Sequence, residues 1–280
     1  LSIAGLTLVE LMVAITIGLI ILAAVARLFV TSRSTYTIEE GLARVQESGR
    51  FAVEFLSQDI RMAGYAGCSA NLTGTAVGNL VAPPESATTF NPDGVAGYKY
   101  VCTSSCTGAL TEWDPDLTTE YFPTGSSEIQ PIAGSDVIVI QRADASGTHL
   151  TGNPNPDNAN IKIINTTALA GTIAVGDILM VSDCKAADII QVNSISAGSG
   201  PKTITHIYNH PTDNTQNNKL THSYGNDAEI MKLVTRVYFI GRRDNSSSNP
   251  PALYRKELSG SLLVAQELVE GIEIMKLSYG

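Results

Sequence analysis

The sequence LSIAGLTLVELMVAITIGLIILAAVARLFV, residues 1–30, is apolar almost throughout and predicts a membrane-spanning helix. Residues 11–26 carry no charged side chain. The run from Leu6 to Val30 is long enough, at about 1.5 Å per residue, to cross a hydrocarbon core of roughly 30 Å. One carboxylate, Glu10, lies inside this run. Because a carboxylate at the centre of a bilayer costs about 3 kcal/mol, we expect Glu10 to lie near the headgroup boundary and to have a compensating partner.

The helical pattern continues beyond the apolar run. In residues 32–64 the apolar side chains recur at spacings of three, four or seven, which predicts one helical stripe. No proline occurs before Pro83, so a single helix over residues 6–64 is the simplest prediction, with residues 6–30 as its membrane-spanning part. Gly64 and Gly67 provide the stop. The predicted stripe consists of Ile38, Leu42, Val45, Ala52, Leu56 and Ile60.

From Tyr65 onward the composition favours a β-rich domain. Gly, Pro, Asn, Ser and Thr become frequent, with short runs of β-forming residues between them. Strands are predicted at 136–143, 161–165, 177–183, 187–196, 202–209, 229–242, 252–258 and 271–280. No strand alternates with a helix in the βαβ manner. The sequence therefore predicts an α+β fold, in which the long amino-terminal α-helix packs on a carboxy-terminal antiparallel β-sheet domain formed by residues 65–280.

The charge balance argues against a nucleic-acid partner. The chain holds 18 basic and 27 acidic residues, a net charge of −9, and its pI is about 4.9. No run of Lys or Arg occurs, and no Gly-rich phosphate loop follows a predicted strand. We therefore expect neither nucleotide nor nucleic-acid binding.

Four cysteines lie beyond the apolar segment, an even number that suits an oxidising compartment. Three disulfide connectivities are possible. Cys102 and Cys106 lie in VCTSSCTG, a short loop that can close on itself and would leave Cys68 to reach Cys184. A zinc site made by all four thiolates is the rival interpretation, although the spacing is poor for zinc. Free buried thiols are a third.

No catalytic or metal motif stands out. His206 and His210 are four residues apart, but the β-rich context predicts ordinary strand and loop histidines. The oxygen-rich loop at 153–160 has one carboxylate and no EF-hand spacing, which favours a solvated loop. A nucleophile elbow, an HExxH motif and a paired-acid signature are all lacking. We expect no enzymatic activity, no cofactor and no metal site.

The segment GLTLVELMVAITIGLI, residues 5–20, resembles the class III leader of type IV pilins and type II secretion pseudopilins. In that family a membrane aspartyl protease cuts after the glycine, here Gly5, and the new amino-terminal residue, here Leu6, is N-methylated. The glutamate five residues in, here Glu10, is needed for filament assembly. The resemblance implies that residues 1–5 are the remnant of a leader, and that the Leu6 amine pairs with Glu10 of its own or a neighbouring subunit. The alternative is a signal anchor with a stray flanking acid.

The rest of the chain is similar to the PilW-type minor pilins. The resemblance is carried by QDIRMAGYAGC (58–68), GDILMVSDCKAADIIQV (176–192), VYFIGRRDNSSSNPPALYRKEL (237–258) and LVEGIEIMKLSYG (268–280). It implies a low-abundance subunit that joins other minor pilins and the major pilin in an initiating or tip complex and helps to hold a large tip adhesin. Prepilin peptidase would process it at the bacterial inner membrane, with the β-rich domain in the periplasm and later on the pilus.

Two alternatives remain open. A minor pseudopilin of a type II secretion system would share this amino terminus. A membrane-anchored binding module, such as a carbohydrate-binding or surface adhesin, would instead use the loops of residues 69–130. The chain lacks an initial Met and ends directly after a predicted strand, so we expect it to lack residues at each end.

Overall fold

The computed structural model describes residues 7–68, 77–80, 90–103, 106–123, 128–151, 160–164, 172–197, 200–206, 220, 223–259 and 262–278. The chain forms two compact units, Leu1–Arg50 and Phe51–Gly280. Gly5 and Leu6 lie outside the described residues, as do His210 and the loop at 153–159.

Helix α1 spans Leu8–Arg61, so it contains the described residues of the first unit from Leu8 onward and continues into the second unit. Its glycines, including Gly18 and Gly41, do not interrupt the α-helix. The helix ends where Gly64 adopts a positive φ of 74°, a conformation that glycine enters without a steric penalty. The prediction of one continuous helix is confirmed, with ends two to three residues inside the predicted ones.

Twelve strands are found in the described part of the second unit. All their pairings are antiparallel except that of β1 with β8. The α+β fold is therefore confirmed. The strands are β1 Val77–Leu80, β2 Val95–Tyr100, β3 Trp113–Asp114, β4 Val137–Ala143, β5 Thr148–His149, β6 Asn160–Ile163, β7 Ile178–Ser182, β8 Ala187–Ile195, β9 Lys202–His206, β10 Glu229–Arg242, β11 Pro251–Ser259 and β12 Leu262–Glu270.

Strand β10 is shared between two groups of strands. Its later residues pair with β4 and β11, which gives a main sheet of order β3-β2-β4-β10-β11-β12. Its first residues pair with β7 and β5. The pairings then run from β7 through β8 and β9 to β6, and a bridge between Ile163 and Leu150 returns to the end of β5. These strands therefore close a ring around a core of mainly aliphatic side chains, which also includes Tyr224.

The main sheet is covered on both faces because successive side chains of a strand point to opposite sides. On β4, Ile138 and Ile140 pack with Ala52 of α1, whereas Val137 and Val139 pack with an aromatic group on the other face. The end of α1 thus lies on one face of the main sheet. That aromatic group includes Tyr98, Trp113, Tyr121, Phe122, Phe239 and Tyr254.

Two sequence predictions about the end of the chain differ from the structure. Residues 271–280 were predicted as a strand, but 272–278 form none, because Leu277 N–H donates to the Asp136 carboxylate (2.8 Å) rather than to a neighbouring strand. The same segment packs Met275 and Leu277 on the α1 face of the main sheet. Strand β12 was not predicted; it pairs with β11 along its length.

Candidate functional site

Glu10 lies in the first turn of α1 and contacts Thr7 reciprocally. The Glu10 N–H donates to the Thr7 hydroxyl (3.4 Å), while the Glu10 carboxylate accepts from the Thr7 N–H (3.5 Å) and hydroxyl (3.4 Å). This is the arrangement of a capping box, in which a threonine and a glutamate three residues later satisfy donors at a helix start. The sequence TLVE carries that signal, in addition to the ion pair that the position of Glu10 predicts. The contacts are longer than the usual 2.7–3.2 Å, so they are weak.

The predicted partner of Glu10 falls outside the described residues. Gly5 and Leu6 are not among them, so cleavage after Gly5, methylation of Leu6 and the Leu6–Glu10 ion pair stay predictions. The structure adds a local reason for glutamate at this position, namely its capping contacts with Thr7. Any test of the ion pair therefore has to separate this capping role from the effect of the charge.

The surface of α1 from Leu8 to Val30 is largely apolar and exposed. Every large apolar side chain from Leu8 to Val30 is more than half exposed. Within the described residues, α1 is the one helix long and apolar enough to cross a membrane, a property that a membrane anchor and a signal sequence share. Further along, Ile38, Leu42 and Val45 of the predicted stripe are also more than half exposed.

The end of α1 is bonded to the main sheet by a charged cluster, which we term the helix anchor: Asp59, Arg236, Tyr238 and Glu257. Arg236 donates to Asp59 (2.6 Å) and, through two nitrogens, to both oxygens of Glu257 (3.1 and 3.2 Å). The Tyr238 hydroxyl donates to the other Asp59 oxygen. Four side chains from α1, β10 and β11 thus share one hydrogen-bonded network.

Burial and charge both shape the helix anchor. Burial lowers the pKa of Arg236, but the hydrogen bonds and negative charges of Glu257 and Asp59 raise it by more. The net pKa is raised, so the guanidinium stays charged. Burial, together with the neighbouring Asp59 carboxylate, raises the pKa of Tyr238. The hydroxyl therefore stays protonated and available as a donor.

The helix anchor corrects the predicted stripe. Ile60 belongs to the predicted apolar stripe but is 46% exposed, whereas its neighbour Asp59 is 2% exposed. Asp59 lies seven residues after Ala52, on the same side of the helix. The sequence does not predict a buried carboxylate in this position, because an apolar pattern does not reveal a distant cationic partner.

The four cysteines form two disulfides in the structure, Cys68–Cys184 and Cys102–Cys106. This is the connectivity that the closing loop favoured, and it leaves none of the four as a thiolate ligand for zinc. Cys68 follows α1 by seven residues, and Cys184 lies in the turn between β7 and β8. The first disulfide therefore ties the chain that leaves the helix to the ring of strands.

Glu112 orders the loop of the second disulfide. Its carboxylate accepts from the Thr107 N–H (2.7 Å) and hydroxyl (2.8 Å), from the Gly108 N–H (2.9 Å) and from the Tyr100 hydroxyl (2.8 Å). These bonds, led by the Thr107 N–H, lower the pKa of Glu112 to about 2. Among the described residues, the possible ligand atoms of Glu112, Cys102 and Cys106 lie close enough together to hold a metal ion, but both sulfurs form a disulfide.

Two basic side chains are buried among the residues that the structure describes. Lys256 on β11 donates to the Tyr121 carbonyl (2.7 Å) and to Glu128 (2.8 Å), and it lies 4.6 Å from the centre of the Phe122 ring. Burial lowers its pKa. His206 on β9 is fully buried, and burial lowers its pKa to about 4; neither ring nitrogen has a hydrogen-bond partner in the described part of the chain. His206 is a strand histidine, as predicted.

Comparison of the chain with protein-family models, with curated proteins and with solved structures finds no match in any of the three. The candidate function therefore rests on the chain's own residues. These provide an apolar helix with a capped acidic first turn, and a sheet domain to which the end of that helix is bonded by charge and tied by a disulfide.

Proposed function

We propose that this chain is a minor pilin of the PilW type, a subunit that takes part in the initiation or tip complex of type IV pilus assembly and so supports adhesion or twitching motility. One observation carries the proposal. A single α-helix begins with an apolar segment that has a carboxylate in its first turn, and it ends in residues bonded to an antiparallel sheet. That combination suits a subunit whose helix is embedded in the membrane before assembly and whose sheet domain is exposed outside the membrane.

The proposed mechanism uses the charge of Glu10. Before assembly the apolar segment lies in the inner membrane, with the sheet domain in the periplasm. Cleavage by prepilin peptidase after Gly5 would create a positive amine at Leu6. An unpaired carboxylate in a low-dielectric environment is costly, so pairing of Glu10 with the amine of a neighbouring pilin would favour docking in one register.

The helix anchor and the Cys68–Cys184 disulfide support this proposal in a second way. A pilus subunit is held in the filament by its helix and contacts partners through its head domain. Tension between them passes through the junction of α1 and the main sheet, where Asp59 bonds Arg236 and Tyr238. Such a junction fits a subunit that helps to hold a large tip adhesin.

The test separates the charge of Glu10 from its capping role. Glu10→Gln keeps a residue that suits a capping box but removes the charge, whereas Thr7→Val removes the cap and keeps the charge. We expect both variants to insert in the membrane, Glu10→Gln to abolish pilus initiation, and Thr7→Val to retain it. Glu47→Gln, an exposed glutamate on the same helix, is the matched control. Normal piliation with Glu10→Gln would contradict the proposal.

The same strains distinguish the pseudopilin alternative. If the chain served a type II secretion system, Glu10→Gln would abolish secretion of exoproteins and leave surface pili unchanged. Counting pili by electron microscopy and assaying secreted proteins in one set of cultures therefore identifies which assembly needs the subunit.

A further inference from the structure

A cavity of about 290 Å³ opens on the face of the main sheet opposite to α1. Val139 and Gln141 of β4 line it, on the side away from Ile138 and Ile140, which pack with the helix. The disulfides, the helix anchor and the buried Lys256 all lie outside its lining. The side chains that decide its chemistry are Phe90, Asn91, Ala96, Tyr98, Tyr121 and Gln141.

Aromatic rings form the apolar part of the cavity. Tyr98 and Tyr121 meet edge to face, with ring centres 6.1 Å apart and planes at 73°. Both rings and that of Phe90 are less than a tenth exposed, so their positions are set by packing. The backbone of Tyr121 is also fixed, because its carbonyl accepts from Lys256. The aromatic wall is therefore preformed.

Amide and hydroxyl groups form the polar part. The Asn91 N–H donates to the Gln141 side-chain oxygen (2.7 Å), and the Gln141 amide donates to the Thr235 hydroxyl (3.2 Å). The Asn91 side-chain oxygen accepts from the Asp93 N–H (3.0 Å). These bonds hold two planar amides in fixed orientations beside the rings. A ligand would thus meet polar groups that are already oriented, which lowers the cost of ordering side chains on binding.

The charge of the lining narrows the ligand class. Among the described residues that line the cavity none is charged, and the nearby Glu120 acts on both tyrosines by its negative charge. An anion would meet repulsion without a cation to bind it. A purely apolar ligand would remove water from amides and hydroxyls without replacing their hydrogen bonds. A neutral ligand with one apolar face and several hydroxyl groups satisfies both parts of the wall.

We propose that this cavity binds a neutral saccharide, with the C–H face of one pyranose ring on the aromatic wall and its hydroxyl groups directed to Asn91, Gln141 and Tyr98. Its volume is at the small end of the roughly 300–1,000 Å³ range of ligand sites, which suits one ring at the end of a glycan. The site goes beyond the proposed role in pilus assembly and does not depend on it. It would give the sheet domain a recognition function of its own.

The experiment uses the full chain in detergent micelles and saturation-transfer difference NMR. The probes are the methyl glycosides of glucose, galactose, mannose and N-acetylglucosamine, each at up to about 10 mM, a range that covers the weak binding expected of one sugar ring. We expect transfer to at least one of them, strongest at the ring C–H protons. N-acetyltyrosinamide is included as the probe for an aromatic peptide side chain, which this cavity should not prefer.

Two variants and a control locate the binding. Ala96→Leu projects a larger side chain into the cavity and should weaken binding about tenfold or more, while Tyr98→Phe keeps the ring and should weaken it a few fold. Tyr36→Phe, an exposed tyrosine on α1, should bind as the unchanged chain does. An unchanged melting temperature and near-UV circular dichroism establish that each variant is folded.

Three results would overturn the proposal. They are absence of saturation transfer from all four glycosides, binding by folded Ala96→Leu equal to that of the unchanged chain, and preference for N-acetyltyrosinamide. Pilus counts in the Ala96→Leu strain keep this test separate from the proposed function, because loss of sugar binding with normal piliation leaves pilus assembly untouched.

Discussion

Asp59→Ala should detach the end of α1 from the main sheet. The Asp59 side chain is 3% exposed and that of Arg236 18%, so the substitution removes one partner of a largely buried ion pair. Removing one partner of a buried pair typically costs about 3–5 kcal/mol. Arg236 keeps its two bonds to Glu257, whereas the Tyr238 hydroxyl loses the Asp59 oxygen that it donates to. We therefore expect the free energy of unfolding to fall by about 3 kcal/mol, at the lower end of that range.

Urea unfolding of the full chain in micelles, followed by the fluorescence of Trp113, measures this change. Trp113 is buried in the sheet domain and is the one tryptophan of the chain. Asp59→Asn keeps the shape and an acceptor for Tyr238 but loses the charge, so it should fall between Asp59→Ala and the unchanged chain. Glu54→Ala, at an exposed position of the same helix, should stay within about 0.5 kcal/mol. Equal stabilities for Asp59→Ala and Glu54→Ala would refute the helix anchor.

Three further predictions concern the sheet domain. The pKa of His206 is lowered to about 4 from an ordinary 6.5, so the unfolded chain binds more protons between these values. The contribution of His206 to the free energy of unfolding should be fully present above about pH 6.5 and should fall by up to about 3 kcal/mol as the pH is lowered towards 4. In urea titrations at several pH values, His206→Leu should show a flatter dependence of stability on pH. An unchanged dependence would contradict the assignment. Replacing both Cys68 and Cys184 by serine opens a loop of 116 residues and should cost about 2–5 kcal/mol, measured by calorimetry; a change below about 1 kcal/mol would contradict it. Glu128→Ala should cost more than Lys256→Met, because only the first leaves the ammonium buried without its carboxylate; the reverse order in urea unfolding would count against the pair.

The helix and most strands could be predicted because their signals are local. Residues 32–64 repeat at helical spacing, and β4, β7, β8 and β10 are dense in β-branched and aromatic residues. Strand β12 lacks that signal. Its sequence LLVAQELVE is rich in strong helix formers, and only its pairing with β11 makes it a strand.

The wrongly predicted strand at residues 271–280 and the unpredicted burial of Asp59 have a different origin. The alternating sequence of 271–280 suggested a strand, but its polar partners are Ser135 and Asp136, which lie 140 residues earlier in the chain. Asp59 and Arg236 are separated by 177 residues. Interactions at such separations depend on the completed fold, so no local pattern indicates them. The capping box of Thr7 and Glu10 is the opposite case, because its signal lies within the four residues TLVE, although the sequence prediction took Glu10 only as half of an ion pair.

The amino terminus of the protein isolated from cells with an intact pilus system is the most direct test of the proposed role. Mass spectrometry of the amino-terminal peptide should find N-methylated Leu6 as the first residue, and a strain that lacks prepilin peptidase should retain the residues up to Gly5. A mature protein from the unmodified strain that still carries Gly5, or that begins at another residue, would contradict the assignment of this chain as a minor pilin.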